Sequence, residues 1–205
     1  MAITTYTEIK ASIADFLNRD DLTSAIPDFI ALAEAQMQRE IRSYKMQKRA
    51  TAEIDSRFSD LPADYLETVR FSLVEQSQRL ELVSLDDMLE LRQDSNNYLG
   101  MPMYYAIAGD AVEVYPTPDT TYNGEMLYYA TISKLSGSNA TNWILDNHPD
   151  AYLYGALLQS APYLKDDARM QVWTMLYGGA VAGINTQSNK AKSGGSGLRL
   201  KIRSY

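Results

Sequence analysis

The chain has 205 residues, of which 45% are hydrophobic and 22% are charged, and these shares are ordinary for a globular protein of one or two domains. It contains no cysteine, which excludes disulfides, thiolate metal sites and cysteine nucleophiles and fits synthesis in a reducing compartment. The N-terminal sequence lacks the basic and apolar regions of a signal peptide, and no stretch holds the about 18 apolar residues of a membrane span. We therefore expect a soluble protein that is made in the cytoplasm.

The net charge of −7 is distributed unevenly along the chain. Residues 186–205 contain five basic side chains and no acidic one, which leaves 14 basic and 26 acidic side chains in the first 185 residues. The five basic residues are Lys190, Lys192, Arg199, Lys201 and Arg203. The sequence therefore predicts an acidic body of net charge −12 with a basic C-terminal end.

Two amphipathic helices are predicted in residues 1–48. The first is expected to end near Asn18, and the second has Pro27 and Asp28 in its first turn, where the imino ring and an anion are both favoured. Apolar residues of the first helix recur at spacings of three and four at Ile9, Ile13, Phe16 and Leu17. The second helix presents on one side Phe29, Leu32, Ala33, Met37 and Ile41.

A β-rich insertion is predicted for residues 49–135, where the period of the apolar pattern changes to two. Val69, Phe71 and Leu73 alternate with polar residues, as they do in a strand with one buried face. Ser84 and Asp87 are spaced as a capping pair for a short helix over residues 85–92. "GD" at 109–110 separates two apolar strands by two residues, with glycine where a type II′ hairpin requires it.

Helices return in residues 142–187. Pro149 begins one helix, and Pro162 is expected to bend or weaken its final turns because proline lacks an amide proton. A second long helix follows, with buried candidates Val172, Trp173, Leu176, Ala180 and Ile184. The predicted class is α+β: a helical bundle of N- and C-terminal helices in one domain, residues 1–187, with an inserted antiparallel β-rich region and an extended C-terminal arm.

The arm, residues 188–205, is predicted to be flexible. "SNKAKSGGSG" has the composition of a linker, and the last eight residues alternate apolar and basic side chains. The alternating residues are Leu198, Arg199, Leu200, Lys201, Ile202 and Arg203. Because an isolated strand is not stable in water, this segment either pairs with a sheet elsewhere or is disordered.

No pattern predicts a catalytic residue, a metal site or a cofactor. His148 is the single histidine, and its place before Pro149 at a helix start explains it adequately. The adjacent aspartates at 20–21, 86–87 and 166–167 lie at turns or helix starts and lack EF-hand spacing. An enzyme that degrades cell-wall glycan is the alternative, and its carboxylate pair would be Glu67 with Asp64.

The order of the motifs is more informative than any one of them. "YTEIKASIADFLNRDDLTSAIPDFIALAEAQMQREIR", "GMPMYYAIAGDAVEVYPTPD" and "NWILDNHPDAYLYGALLQSAPYLKDDAR" occur in that order before a basic end. Together they resemble the head-to-tail adaptor (connector) proteins of tailed bacteriophages, especially the short-tailed ones. The resemblance covers nearly the whole chain.

This resemblance implies a virion structural protein without catalysis. Its copies would form a ring, usually a dodecamer, between the portal protein and the tail tube or nozzle protein. Genomic DNA would pass through the ring without specific binding, since an acidic lumen repels phosphate, and the C-terminal arm would reach the portal. No membrane partner is implied.

An excess of tyrosine and leucine between Asn147 and Trp173 could be covered by the adjacent subunit of such a ring or by the N-terminal helices. Tyrosine suits an interface because its ring is apolar and its hydroxyl can meet water or a polar partner. The candidate interface residues are Tyr152, Tyr154, Leu158, Tyr163 and Trp173.

Overall fold

The computed structural model describes residues 3–94, 98–164 and 169–193. They divide into two compact units, which we call the helical unit and the β unit. The helical unit comprises the described residues of Met1–Met46 and Ile132–Tyr205, and the β unit is Gln47–Thr131. The predicted α+β class, with helices on both sides of a β-rich insertion in the sequence, is confirmed.

The described helices in chain order are α1 (Tyr6–Leu17), α2 (Ile26–Glu40), α3 (Leu85–Asp94), α4 (Trp143–Asn147), α5 (Pro149–Gln159) and α6 (Arg169–Ser193). The strands are β1 (Gln47–Ile54), β2 (Phe58–Asp60), β3 (Tyr65–Leu73), β4 (Gln78–Arg79), β5 (Glu81–Leu82), β6 (Tyr104–Ala108), β7 (Ala111–Tyr115) and β8 (Tyr122–Ala130).

Local signals set the ends of α1. The Thr5 hydroxyl accepts from the Glu8 amide, and the Glu8 carboxylate accepts from the Thr5 amide, so both halves of a capping box are present. Asn18 ends the helix with a φ of 51°, in the left-handed region that asparagine tolerates. The predicted end near Asn18 is therefore confirmed.

The apolar faces of α1 and α2 are narrower than the sequence predicted. Phe16 on α1 and Leu32 on α2 are 48% and 53% exposed, so their assignment to the buried face was wrong. The residues that follow them, Leu17 and Ala33, are buried as predicted. A spacing of three or four residues allows either of two adjacent positions to face the core, and here the core takes the second.

Helix α5 lies at the centre of the helical unit and packs against α1, α2, α4 and α6. Its core residues occupy several sides of the helix, as expected of one buried all round; they are Ala151, Tyr152, Leu153, Ala156 and Leu157. A Cβ on Gly155 would lie 3.2 Å from both the Ala33 Cβ and the Tyr177 ring, so glycine permits this close helix packing. The helix ends at Gln159, before Pro162 in a short 3₁₀ turn.

Helix α6 differs from the sequence prediction in length and orientation. We expected the helix to end at 187, but it continues to Ser193, because Lys190 to Lys192 favour helix and buried Ser188 anchors the last turns. Val172 and Leu176, predicted to be buried, are exposed. Residues 165–168, where the sequence predicted a turn with an aspartate pair, and the alternating residues 198–203 lie outside the described residues.

The β unit consists of two four-stranded sheets, ordered β1-β8-β3-β4 and β2-β7-β6-β5. All pairs are antiparallel except β5 with β6. The two sheets share one apolar core, which includes Phe71 and Leu73 of β3 and Val112 and Val114 of β7. The two-residue hairpin between β6 and β7 is confirmed, with a φ of 63° at Gly109.

A buried ion pair fixes α3 on the second sheet. The Arg92 guanidinium donates to the Glu113 carboxylate at 2.7 Å and to the Val114 carbonyl at 2.7 Å, while Arg57 reaches the same carboxylate at 2.8 Å. Ser84 and Asp87 cap α3 as predicted, with the serine hydroxyl 2.7 Å from the carboxylate. Both side chains of the Arg92–Glu113 pair are buried, and each charge is neutralised by the other.

The close packing at Gly155 yields a stability prediction. Gly155→Val should lower the free energy of unfolding by about 1–3 kcal/mol, because the added carbons overpack the contact with Ala33 and Tyr177. Urea denaturation followed by far-UV circular dichroism measures this loss. Gly178→Val is the matched control on α6, since no atom lies within 4 Å of a Cβ built there. Equal losses for both variants would contradict the packing role of Gly155.

Candidate functional site

The buried side of α6 holds the helix in a fixed rotation. Its core residues recur at spacings of three and four and are Trp173, Tyr177, Val181, Ile184 and Ser188. Hydrogen bonds reinforce this packing along the end of α2 and the segment after it. They join Tyr177 with Glu40, Asn185 with Glu40 and Arg42, and Ser188 with Arg42 and Tyr44.

The first of these contacts is the Tyr177 hydroxyl, which donates to the Glu40 carboxylate at 2.9 Å. Burial and the adjacent carboxylate raise the pKa of Tyr177 well above its ordinary value. The phenol therefore stays protonated and remains a donor across the physiological range. The hydrogen bonds of Tyr177 and Ser188, toward the two ends of the buried stripe, prevent α6 from rotating about its axis. The direction in which the opposite side of α6 faces is therefore fixed.

That opposite side is a second stripe of apolar and small residues, which we call the α6 face. Its most exposed large side chains are Met175 at 69%, Val172 at 48% and Leu176 at 37%. The α6 face consists of Val172, Met175, Leu176, Gly179, Ala180, Gly183 and Gln187. These residues recur every three or four positions, so they form one continuous strip along the helix.

An open groove of about 510 Å³ runs beside the α6 face. His148 and Asp150, at the start of α5, line it together with Met175, Leu176 and Gly183. The neighbouring glycines leave the helix backbone accessible, since no atom lies within 4 Å of a Cβ built at Gly179 or Gly183.

The α6 face has the composition of a protein interface. No charged side chain occurs between Arg169 and Lys190, although much of that helix is exposed. Exposed apolar patches and depletion of charge are both typical of surfaces that a partner protein covers. This arrangement can bind a complementary apolar surface.

The structure separates the five predicted interface residues into two groups. Tyr152 is fully buried and Trp173 is nearly so, which corrects their assignment to an intersubunit surface: they are covered by their own chain. Tyr163 is exposed, with its ring edge against Phe29 at a centroid distance of 5.1 Å. Tyr154 and Leu158 are partly exposed on α5.

Tyr152 belongs to a buried polar cluster that joins α2, α4 and α5. Its hydroxyl lies 3.0 Å from the Glu34 carboxylate, to which it donates, and accepts from the Asn142 amide at 2.5 Å. The Glu34 carboxylate also accepts from the Leu135 amide at 2.7 Å. Burial raises the pKa of Glu34, although these hydrogen bonds oppose the shift, and burial raises the pKa of Tyr152 further above its ordinary range.

Asp64, the proposed partner of Glu67 in a glycosidase site, is held by two polar contacts. The Asp64 carboxylate binds the Lys48 ammonium at 2.6 Å and accepts from the Tyr128 hydroxyl at 2.8 Å. The hydrogen bond with Lys48 is the main cause that lowers the pKa of Asp64, while burial and Asp64 raise the pKa of Tyr128 to about 12. A general acid needs a raised pKa, so these contacts oppose that role for Asp64.

The sequence predicted neither a metal site nor a membrane span. Within the described ranges, no three His, Cys, Asp or Glu side chains lie close enough together to bind a metal ion. His148 stands between α4 and α5 with its ring edge-on to Trp143. Among the described helices, none combines the length and apolar character that a membrane crossing requires.

Sequence reasoning missed the α6 face because it assigned Val172 and Leu176 to the core. The uncharged stretch between Arg169 and Lys190 was the available signal. A helix that is buried on one side only normally carries charges on the other.

A family model described as SU10 adaptor protein matches residues 4–199, which is nearly the whole chain. No curated protein matches the chain.

The buried Glu34 carboxylate yields a prediction on pH. Because its folded pKa is raised, the stability linked to Glu34 is fully present below the unfolded value of 4.5 and is lost as the pH rises through the folded pKa. Glu34→Gln keeps an oxygen acceptor and removes the ionisation. We expect the variant to gain free energy of unfolding relative to the parent at about pH 8 but not below pH 4.5.

Urea denaturation at both pH values measures this difference. Glu90→Gln, which removes an exposed carboxylate from the other unit, is the control for a general change of charge. A parent and a Glu34→Gln variant with the same dependence on pH would show that Glu34 ionises without penalty in the folded chain.

Proposed function

The chain belongs to the SU10 adaptor protein family, and from that premise we propose that its copies form a ring that joins the portal to the tail of a bacteriophage virion. Family membership supports a structural role in the virion. The proposal adds the dodecameric ring, the portal and the tail tube or nozzle as partners, and a central channel for DNA. Each of these additions calls for surfaces that bind other proteins rather than for a reactive site.

The observation that carries the proposal is the α6 face. A closed ring is built from head-to-tail contacts, in which each subunit uses one surface for one neighbour and a different surface for the other. The α6 face supplies one such surface, since it is apolar, uncharged and exposed. Its occupant in this proposal is a second copy of the chain.

A different exposed apolar set is available for the second surface of the contact. Leu32 on α2 follows Phe29 by one helical turn, and Phe29 contacts the exposed Tyr163 ring. Tyr154 and Leu158 of α5 add partly exposed apolar area. We propose that this set faces the α6 face of the adjacent subunit, so that the tyrosine hydroxyls stay at a wet rim.

The charge of the body suits passage of DNA. The first 185 residues carry a net charge of −12, and repetition around a ring would create a negative potential in the channel. Such a potential opposes adhesion of the phosphate backbone, so the duplex would slide without specific binding. The basic residues after position 185 would then point away from the channel, toward a protein partner, either the portal or a neighbouring subunit.

The glycan-degrading alternative has weaker support. It requires a carboxyl group kept protonated beside a second carboxylate. The Lys48 ammonium instead keeps the pKa of Asp64 low. Detection of cell-wall hydrolysis by the purified chain would revive it.

The α6 face predicts the effect of one charge on assembly. Met175→Asp should abolish ring formation, because assembly would bury an unpaired carboxylate in an apolar contact. Native mass spectrometry of the chain, alone and mixed with portal protein, measures the loss of the ring.

Thr174→Asp is the matched control, because Thr174 is exposed on the same helix but outside the α6 face. It should assemble as the parent does. Rings formed equally well by both variants would exclude the α6 face as a subunit contact, and circular dichroism on each variant would verify that the fold is retained.

A further inference from the structure

Strand β1 is a long edge strand of the β unit. It pairs with β8 through all eight of its residues, from Gln47 to Ile54. In the part of the chain that the structure describes, no strand pairs with its other side. Every second residue of an antiparallel edge strand directs its N–H and C=O groups outward, so β1 offers an unused ladder of donors and acceptors.

An apolar slot of about 200 Å³ lies beside this edge. Ile54 belongs to the core of the β unit, and by alternation Ala50 and Ala52 face the same side of the sheet. The slot is lined by Ala50, Ala52, Ile54, Leu61, Val112 and Met126, among others. Because alanine side chains are short, the slot has room for larger apolar side chains from an added strand.

Strand β1 contains two cations, but both are already paired with carboxylates of the same unit. Lys48 already pairs with Asp64 at 2.6 Å, and Arg49 with Glu125 at 3.7 Å.

Three exposed carboxylates, two at the C-terminal end of β1 and one in the lining of the slot, make no ion pair within the described residues. They are Glu53, Asp55 and Asp60. An incoming basic segment would therefore meet unpaired negative charge.

We infer that β1 accepts residues 198–205 of a second copy of the chain as an added strand. This rests on the proposed function, in which copies assemble side by side. The donor segment has eight residues, as β1 has. Leu198, Leu200 and Ile202 alternate as the slot requires, and the basic residues between them match the acidic end.

We assign the added strand to a neighbouring copy because every subunit of a closed ring makes the same head-to-tail contact. Each copy in a head-to-tail ring can donate one segment and accept one, so no β1 edge remains free when the ring closes. The linker "GGSG" at 194–197 follows the described end of α6 and spans at most about 14 Å when extended. A linker of that length restricts the donor to a copy whose β1 lies close to the end of α6.

Disulfide trapping tests the inference directly, because the chain contains no cysteine. Full-length Ala52→Cys and full-length Leu200→Cys are mixed, assembled with portal protein and oxidised. We expect roughly tenfold more of the linked pair than with Arg79→Cys in place of Ala52→Cys, because docking raises the local concentration of the two thiols. Arg79 lies on β4, at the opposite edge of the same sheet.

A charge reversal gives a second measurement that does not depend on cysteine placement. Glu53→Lys with Asp55→Lys should reduce the trapped yield several-fold. Glu81→Lys with Glu90→Lys changes the net charge equally at other exposed positions of the β unit and should leave the yield unchanged.

The outcomes separate this inference from the proposed function. Native mass spectrometry could detect rings while the yield of the linked pair does not exceed that of the Arg79→Cys control. That result would overturn the inference, and the proposed ring would still stand. In a double variant, Ala52→Cys with Leu200→Cys, a disulfide that forms only within single chains would also overturn the inference. Cross-linking of the Leu200→Cys variant to portal protein, and not to other copies of the chain, would overturn it as well. Trapping between copies without any ring would support the strand contact and refute the ring.

Discussion

The helical unit depends on the burial of α5 among its neighbours. Tyr152 holds this arrangement, because its hydroxyl meets Glu34 of α2 and Asn142 at the cap of α4. Asn142 in turn accepts from the Ile144 and Leu145 amides, so one side chain both starts α4 and binds α5. A buried polar cluster of this kind is stable only in one geometry, and it therefore fixes the helices relative to one another.

Once α5 is enclosed, α6 can bury only one of its two apolar stripes. The hydrogen bonds of Tyr177, Asn185 and Ser188 select the stripe that faces inward, and the α6 face is left outside. The β unit has its own fixed centre in the Arg92–Glu113 pair. Two well-packed units, one of which exposes an uncharged apolar face, suit the structural role that membership of the adaptor family indicates.

Local signals allowed much of the fold to be predicted from the sequence. The Gly109 hairpin, the Ser84–Asp87 cap and the C-terminal end of α1 depend on a few adjacent residues, so they could be predicted without knowledge of tertiary contacts. The choice between Phe16 and Leu17, or between Leu176 and Tyr177, depends on which side a neighbouring helix covers. Periodicity does not contain that information, and the same gap led to Tyr152 being assigned to an interface.

The central claim is that a second copy of the chain covers the α6 face. Met175→Cys places a single thiol in a chain that otherwise has none, and its rate of alkylation reports access to that face. We expect labelling to be fast in the isolated chain and at least about tenfold slower in assembled rings, because an interface core excludes water and reagent. Equal labelling rates in the two states would show that the α6 face stays open in the ring and would contradict the claim.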